Sequence, residues 1–82
     1  MAKQRIVLVE DDEALAEVLY SELTGADFEV FPAFDGEEGL KQVKEKKPDL
    51  VLLDLILPKM HGFDVLAELK KSPYTQKIPV II

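Results

Sequence analysis

Two apolar runs in this chain end in carboxylates, and those acids are the residues placed to do chemistry. Ile6-Val7-Leu8-Val9 leads into Glu10-Asp11-Asp12, and Leu50-Val51-Leu52-Leu53 leads into Asp54. Runs of this length, rich in branched aliphatic residues, read as strands. The second, opened by Pro48 and followed by Pro58, reads as a strand buried on both faces, as in parallel sheets. Open α/β sheets bind their ligands outside the carboxyl ends of the strands, which is where these acids fall. If the two strands are neighbours, roughly 4.8 Å apart, Glu10, Asp11 and Asp54 face one small cleft. Two unit charges about 4 Å apart repel by about 4 kcal/mol at an effective dielectric near 20. Either one proton is retained or a hard divalent cation is held. Oxygen-only ligands with open positions suit Mg²⁺ or Mn²⁺ better than zinc. Such an ion neutralises the oxygens of a phosphoryl group in transfer. Taken alone, Glu10-Asp11-Asp12 is a solvated turn with a helix N-cap at Asp12; Asp54 and its flanking pattern turn the reading toward a site.

The elements that must position these acids follow from periodicity. Residues 5–9 form β1. Leu15, Val18, Leu19 and Leu23, at helical spacing, predict α1 over 13–24 with that stripe in the core, Asp12 as its cap and Gly25 as its stop. Phe28-Glu29-Val30-Phe31 predicts β2 over 28–31, with Pro32 and Glu29 suiting a sheet edge. Asp35-Gly36 signals a turn before α2 over 37–46, whose stripe is thin (Leu40 and Val43) and which contains Gly39, costing about 1 kcal/mol relative to alanine. Lysines near its end and Pro48 beyond it favour termination. β3 follows over 49–53, α3 over 63–71 on Val65, Leu66 and Leu69, and β4 over 78–82. An alternating β-α order with short connections calls for a parallel sheet with right-handed crossovers.

Composition narrows the function classes. At 82 residues there is room for one small domain. A chain this short buries only roughly 60–65% of its unfolded surface, so its core is marginal. A net charge of −6 argues against nucleic acid and against an anionic membrane surface as partners. The apolar run after the N-terminus is too short for a signal peptide, and no stretch reaches transmembrane length. With no cysteine, disulfides and thiolate–metal sites are excluded, which fits a cytoplasmic setting.

Four pieces in register, Ile6 to Asp12, Asp35 to Leu40, Pro48 to Pro58 and Met60-His61-Gly62, resemble the receiver domain of two-component response regulators. The resemblance covers residues 1–82 as the N-terminal part of a single receiver domain. It implies a flavodoxin-like, doubly wound parallel sheet in expected strand order 2-1-3-4, with the fifth strand and last two helices missing. It implies Asp54 as phosphoacceptor, taking a phosphoryl group from a histidine kinase or phosphotransfer protein with Mg²⁺, or Mn²⁺ in its place. Asp11, Asp54 and the backbone carbonyl of Ile56 are then the metal ligands, with Glu10 acting through water. Pro58 and Gly62 shape the loop after β3. The chain would be a phosphoacceptor and not an enzyme in its own right. The Ser or Thr, the Lys and the aromatic residue that the family places after the fourth strand and on the fifth are not in this sequence, which implies impaired switching.

An apolar β4 at the sheet edge then favours self-association through residues 78–82. The alternative reading is a non-switching half-fold whose main property is that association. A phosphohydrolase with an aspartyl intermediate is disfavoured, because the second Asp such enzymes carry two residues after the nucleophile is Ile56 here. The Ile56 side chain either borders the attacking water's path, slowing dephosphorylation, or only packs on its loop. His61 and Lys59 read as solvated loop residues.

Overall fold

A computed structural model describes residues 3–54 and 61–82; the expected roles of Ile56, Pro58 and Lys59 fall outside the described residues. In chain order the elements are β1 (Arg5–Val9), α1 (Glu13–Gly25), β2 (Glu29–Ala33), α2 (Gly36–Lys46), β3 (Leu50–Leu53), α3 (Gly62–Lys71) and β4 (Val80–Ile81). All strand pairs are parallel and the sheet order is β2-β1-β3-β4, the flavodoxin-like arrangement. Side chains alternate along each strand, so Val7, Val9, Ala33, Val51 and Leu53 share one face. There they form the core with Val43 of α2 and with Val65 and Leu69 of α3. Ile6 and Leu8 are buried on the opposite face, the one that α1 packs against through β2.

That opposite face corrects two expectations. β3 is not buried on both faces: Val51 and Leu53 are, but Leu50 and Leu52 are half-buried. The α1 stripe is not core either. Ala16 is the helix's buried residue, while Leu15 is 45% exposed and Val18 58% exposed, with Leu19 and Leu23 intermediate. Small Ala16 lets the helix pack against β2, and Leu19 lines the groove beside Leu52 and Ile81. Among the described residues no element covers that β3–β4 half of the sheet.

Boundaries shift for reasons of backbone chemistry. β2 starts one residue late and runs through Pro32 to Ala33. The Glu29 N–H donates to the Gln4 carbonyl, so alternate residues 29, 31 and 33 face β1 and the nitrogen of Pro32 lies on the open edge, where no donor is needed. β4 shortens to two residues because the Ile78 N–H is engaged by the Thr75 carbonyl in a turn. Gly25 is the last residue of α1, not a left-handed stop; that conformation falls to Asp27, with φ of 72°.

Two residues explain how α2 and α3 hold their places. Pro73 has no N–H to donate to the Leu69 carbonyl four residues before it, which would leave a buried acceptor unpaired. The buried Thr75 hydroxyl donates to that carbonyl at 2.5 Å and closes the helix end. Gly39, a cost in the sequence reading, is the point of closest approach between α2 and β1. A Cβ there would lie 2.7 Å from Val9 Cγ2 and 3.0 Å from its Cγ1. Gly39→Ala would add about 1 kcal/mol of helix propensity but overpack a β-branched core residue at a cost of about 1–3 kcal/mol. The expected outcome is a net loss of about 1 kcal/mol in urea denaturation. A variant more stable than the parent would show that α2 is free to move away from β1.

Candidate metal centre

The site begins with strand register. β1 and β3 are hydrogen-bonded neighbours with Val9 opposite Leu53, so the residues that follow each strand emerge side by side. The Asp54 N–H donates to the Val9 carbonyl and the Glu10 N–H to the Ala33 carbonyl, both at 3.0 Å. These bonds carry the ladder one residue past each strand and fix the backbones of both acids. Carboxylate oxygens of Glu10, Asp11 and Asp54 then lie within 4.8 Å of one another, Glu10 buried, Asp54 half-buried and Asp11 exposed. With the first of these positions also tied to β2, three strands converge on the cluster.

The three consecutive acids after β1 divide their work. Asp12 stands outside the cluster: its Oδ1 accepts from the backbone N–H groups of Ala14 and Leu15 at 3.0 and 3.2 Å, capping α1. The Asp12 N–H in turn donates to Glu10 Oε2 at 3.2 Å. That bond holds the Glu10 carboxylate under the turn and aims it toward Asp54.

Electrostatics favour a cation there. Glu10 holds its proton above the ordinary carboxylate range, chiefly because burial penalises its charge; the Asp12 N–H opposes this, while hydrogen bonding and repulsion from Asp54 and a contact with Asp11 add to it. Carboxyl groups that hydrogen-bond each other need a shared proton, and a divalent cation can take that proton's place. The donor set is all oxygen, part exposed and part anchored by backbone, and so fits a hard cation that retains some water. An open groove of about 320 Å³ leads to it, lined by Leu8, Leu19, Leu52, Ile81 and Ile82 beside Glu10 and Asp54.

Sequence reasoning missed two supports. His61, expected as a solvated loop residue, is exposed but caps α3: its Nδ1 accepts from the Phe63 N–H at 3.2 Å, and the two rings stack 5.6 Å apart. Glu38 reaches back to the Phe34 N–H at 2.9 Å while the Asp35 side chain accepts from the Glu38 N–H at 2.8 Å, a reciprocal lock on the loop after β2. The acid three residues after Asp35 was the available signal. Gly62 is the buried first residue of α3.

Among the described residues no helix is long and apolar enough to cross a membrane. The family profile of the response regulator receiver domain matches residues 6–82. The DNA-binding response regulator MtrA of Mycolicibacterium smegmatis is 48% identical over 80 residues, covering 98% of this chain and 34% of that protein. The response regulator PleD of Caulobacter vibrioides is 41% identical over 78 residues, covering 95% of this chain and 17% of that protein. The chain thus spans between 17% and 34% of the length of these curated relatives.

Among solved structures, the N-terminal domain of a response regulator receiver protein from Methanoculleus marisnigri superposes with a TM-score of 0.90 at 34% identity, over 96% of this chain and 64% of that one. The receiver domain of the sensor histidine kinase PA1611 from Pseudomonas aeruginosa, solved with a magnesium ion coordinated in its active-site cleft, gives 0.92 at 25% identity, over 96% of this chain and 65% of that one. With parallel strands in the order β2-β1-β3-β4, carboxylates gathered where β1 and β3 end, and a family profile over nearly all of its length, this chain belongs to the response regulator receiver domain family.

Proposed function

We propose that Asp54 is the phosphoacceptor of a two-component relay and that Glu10, Asp11 and Asp54 hold the Mg²⁺ the transfer requires. The observation that carries this reading is the gathering of those three carboxylates within 4.8 Å at the ends of two adjacent strands. A histidine kinase or phosphotransfer protein is the donor. An Asp54 carboxylate oxygen attacks the phosphorus of its phosphohistidine, the P–N bond breaks, the imidazole nitrogen takes the bonding pair and then a proton from solvent water, and an acyl phosphate remains on Asp54. The metal, when bound, supplies neutralisation of charge on the phosphoryl oxygens. The protein's own part is to hold the nucleophile rigid: the Asp54 N–H bonded to Val9 fixes where its side chain starts. The Ile56 carbonyl completes the ligand set by family resemblance, and Mn²⁺ substitutes for Mg²⁺.

Incubation with Mg²⁺ and acetyl phosphate, followed by intact mass measurement, tests the assignment. One phosphoryl adduct is expected, lost in Asp54→Asn and retained in Asp12→Asn. Measurable Mg²⁺ binding with no adduct on the parent chain would contradict it.

One observation favours a second reading, association of copies through β4. That strand lies at the edge of the sheet with Ile81 55% exposed and Ile82 60% exposed, beside the half-covered Leu52. Unpaired apolar edges template pairing with other chains. Light scattering after size exclusion should give a dimer or larger species that Ile81→Lys reduces to monomer; a folded monomer at all concentrations would dismiss this reading.

A further inference from the structure

The charges of this acidic chain are segregated. Seven of its ten Lys and Arg residues lie in the two short spans 41–47 and 70–77, at and just beyond the C-terminal ends of α2 and α3. Helix dipoles favour lysines at such ends, and that accounts for their presence there. It does not account for the groove the two helix ends enclose. Val43 forms its buried floor, with Ile78 and Thr75 beside it; Lys44 and Lys47 form one rim and Ser72 and Tyr74 the other, around a volume of about 330 Å³.

Among the described residues no carboxylate lines this groove. Among the described residues neither Lys44 nor Lys47 is in an ion pair. Glu68, whose charge Lys44 favours, is bound to Lys71 at 2.8 Å, and Glu37 and Glu45 lie with Lys44 around a separate groove. Tyr74 is 86% exposed, an aromatic surface held at the rim with its backbone N–H bonded to the Ser72 hydroxyl.

We propose that this groove docks an acidic segment of a partner protein, one that inserts an aliphatic or aromatic side chain over Val43 and Ile78 and sets flanking carboxylates on Lys44 and Lys47. The charge complementarity is specific to this surface, because the opposite helix, α1, carries Glu13, Glu17 and Glu22 and no basic residue. A free small anion fits less well. The groove is open along one side, and small-molecule sites commonly bury about 70–90% of their ligand. A chain segment is held by its continuation, so an open groove suffices. The surface is separate from Asp54, which lies at the carboxyl end of β3; the α2 and α3 ends lie at the other end of the sheet, near Pro79 and the start of β4.

The test uses this chain labelled with ¹⁵N and a blocked peptide of two glutamates, a leucine and two aspartates, against the same peptide with glutamine and asparagine. Amide shifts at Val43, Lys44, Lys47, Tyr74 and Thr75 are expected with the acidic peptide and not with the neutral one. Exposed ion pairs being modest and screened by salt, the pair Lys44→Gln, Lys47→Gln should weaken binding roughly fivefold at low salt, and added salt should do the same to the parent. Lys41→Gln, on α2 but off the groove, should leave affinity unchanged. Shifts spread over all the lysines, equal binding of both peptides, or equal shifts with free glutamate would overturn the proposal. So would groove shifts that depend on protein concentration without peptide, which would assign the surface to a second copy.

Discussion

Three carboxylates that repel one another are held together by the register of two parallel strands, and much of the molecule serves to keep them there. Hydrogen bonds from Asp54 to Val9 and from Glu10 to Ala33 extend the ladders past the last strand residues, so the acids cannot swing apart without breaking the sheet's rim. Beneath that rim lie Val7, Val9, Val51 and Leu53, buried by α2 and α3. Gly39 lets α2 sit close against Val9, the residue whose carbonyl fixes Asp54. Packing on one face of the sheet thus bears directly on where the carboxylates stand. Burial and the neighbouring Asp54 charge together raise the Glu10 pKa above its ordinary value, the mark of a carboxylate that disfavours its charge in this place.

Asp12 shows how three acids in a row acquire different work. Glu10 and Asp11 join the cluster, while Asp12's own oxygen caps α1 through Ala14 and Leu15. That bond starts the helix immediately after the cluster, and its N–H orients Glu10. Such economy of backbone suits a site whose chemistry is positional: the attacking group is an ordinary carboxylate, and what it needs is a fixed place beside an electrophilic centre.

The alternation of strands and helices and the identity of the clustered acids were legible from local signals, apolar runs ended by acids with helices between them, whereas the strand order followed from the resemblance to receiver domains. The failures share another origin. Leu15 and Val18 obey helical periodicity, yet they are exposed because nothing among the described residues covers the β3–β4 half of their face; periodicity marks an apolar stripe without saying what it meets. Leu50 and Leu52 are half-buried for the same reason. Gly39 and Thr75 were illegible in another way, since a close approach to Val9 and an orphaned Leu69 carbonyl exist only once the helices are packed. His61 as a cap could not be told from a solvated loop residue without the geometry of the turn it closes.

Repulsion within the cluster is the strain that a bound cation relieves, and removing one charge exposes it. Glu10→Gln keeps an oxygen for the Asp12 N–H and removes a charge. Because the Glu10 pKa is raised in the fold above its ordinary 4.5, the folded state binds the extra proton. The parent's relative stability is therefore full at low pH and lost as pH rises through the folded value. Urea denaturation without divalent ions should show the variant no more stable than the parent near pH 4 and more stable by about 1–2 kcal/mol at pH 7. Adding Mg²⁺ should stabilise the parent more than the variant and close that gap. Equal stabilities at pH 7, or a gap indifferent to Mg²⁺, would contradict the claim that the cluster is a strained site built for a cation.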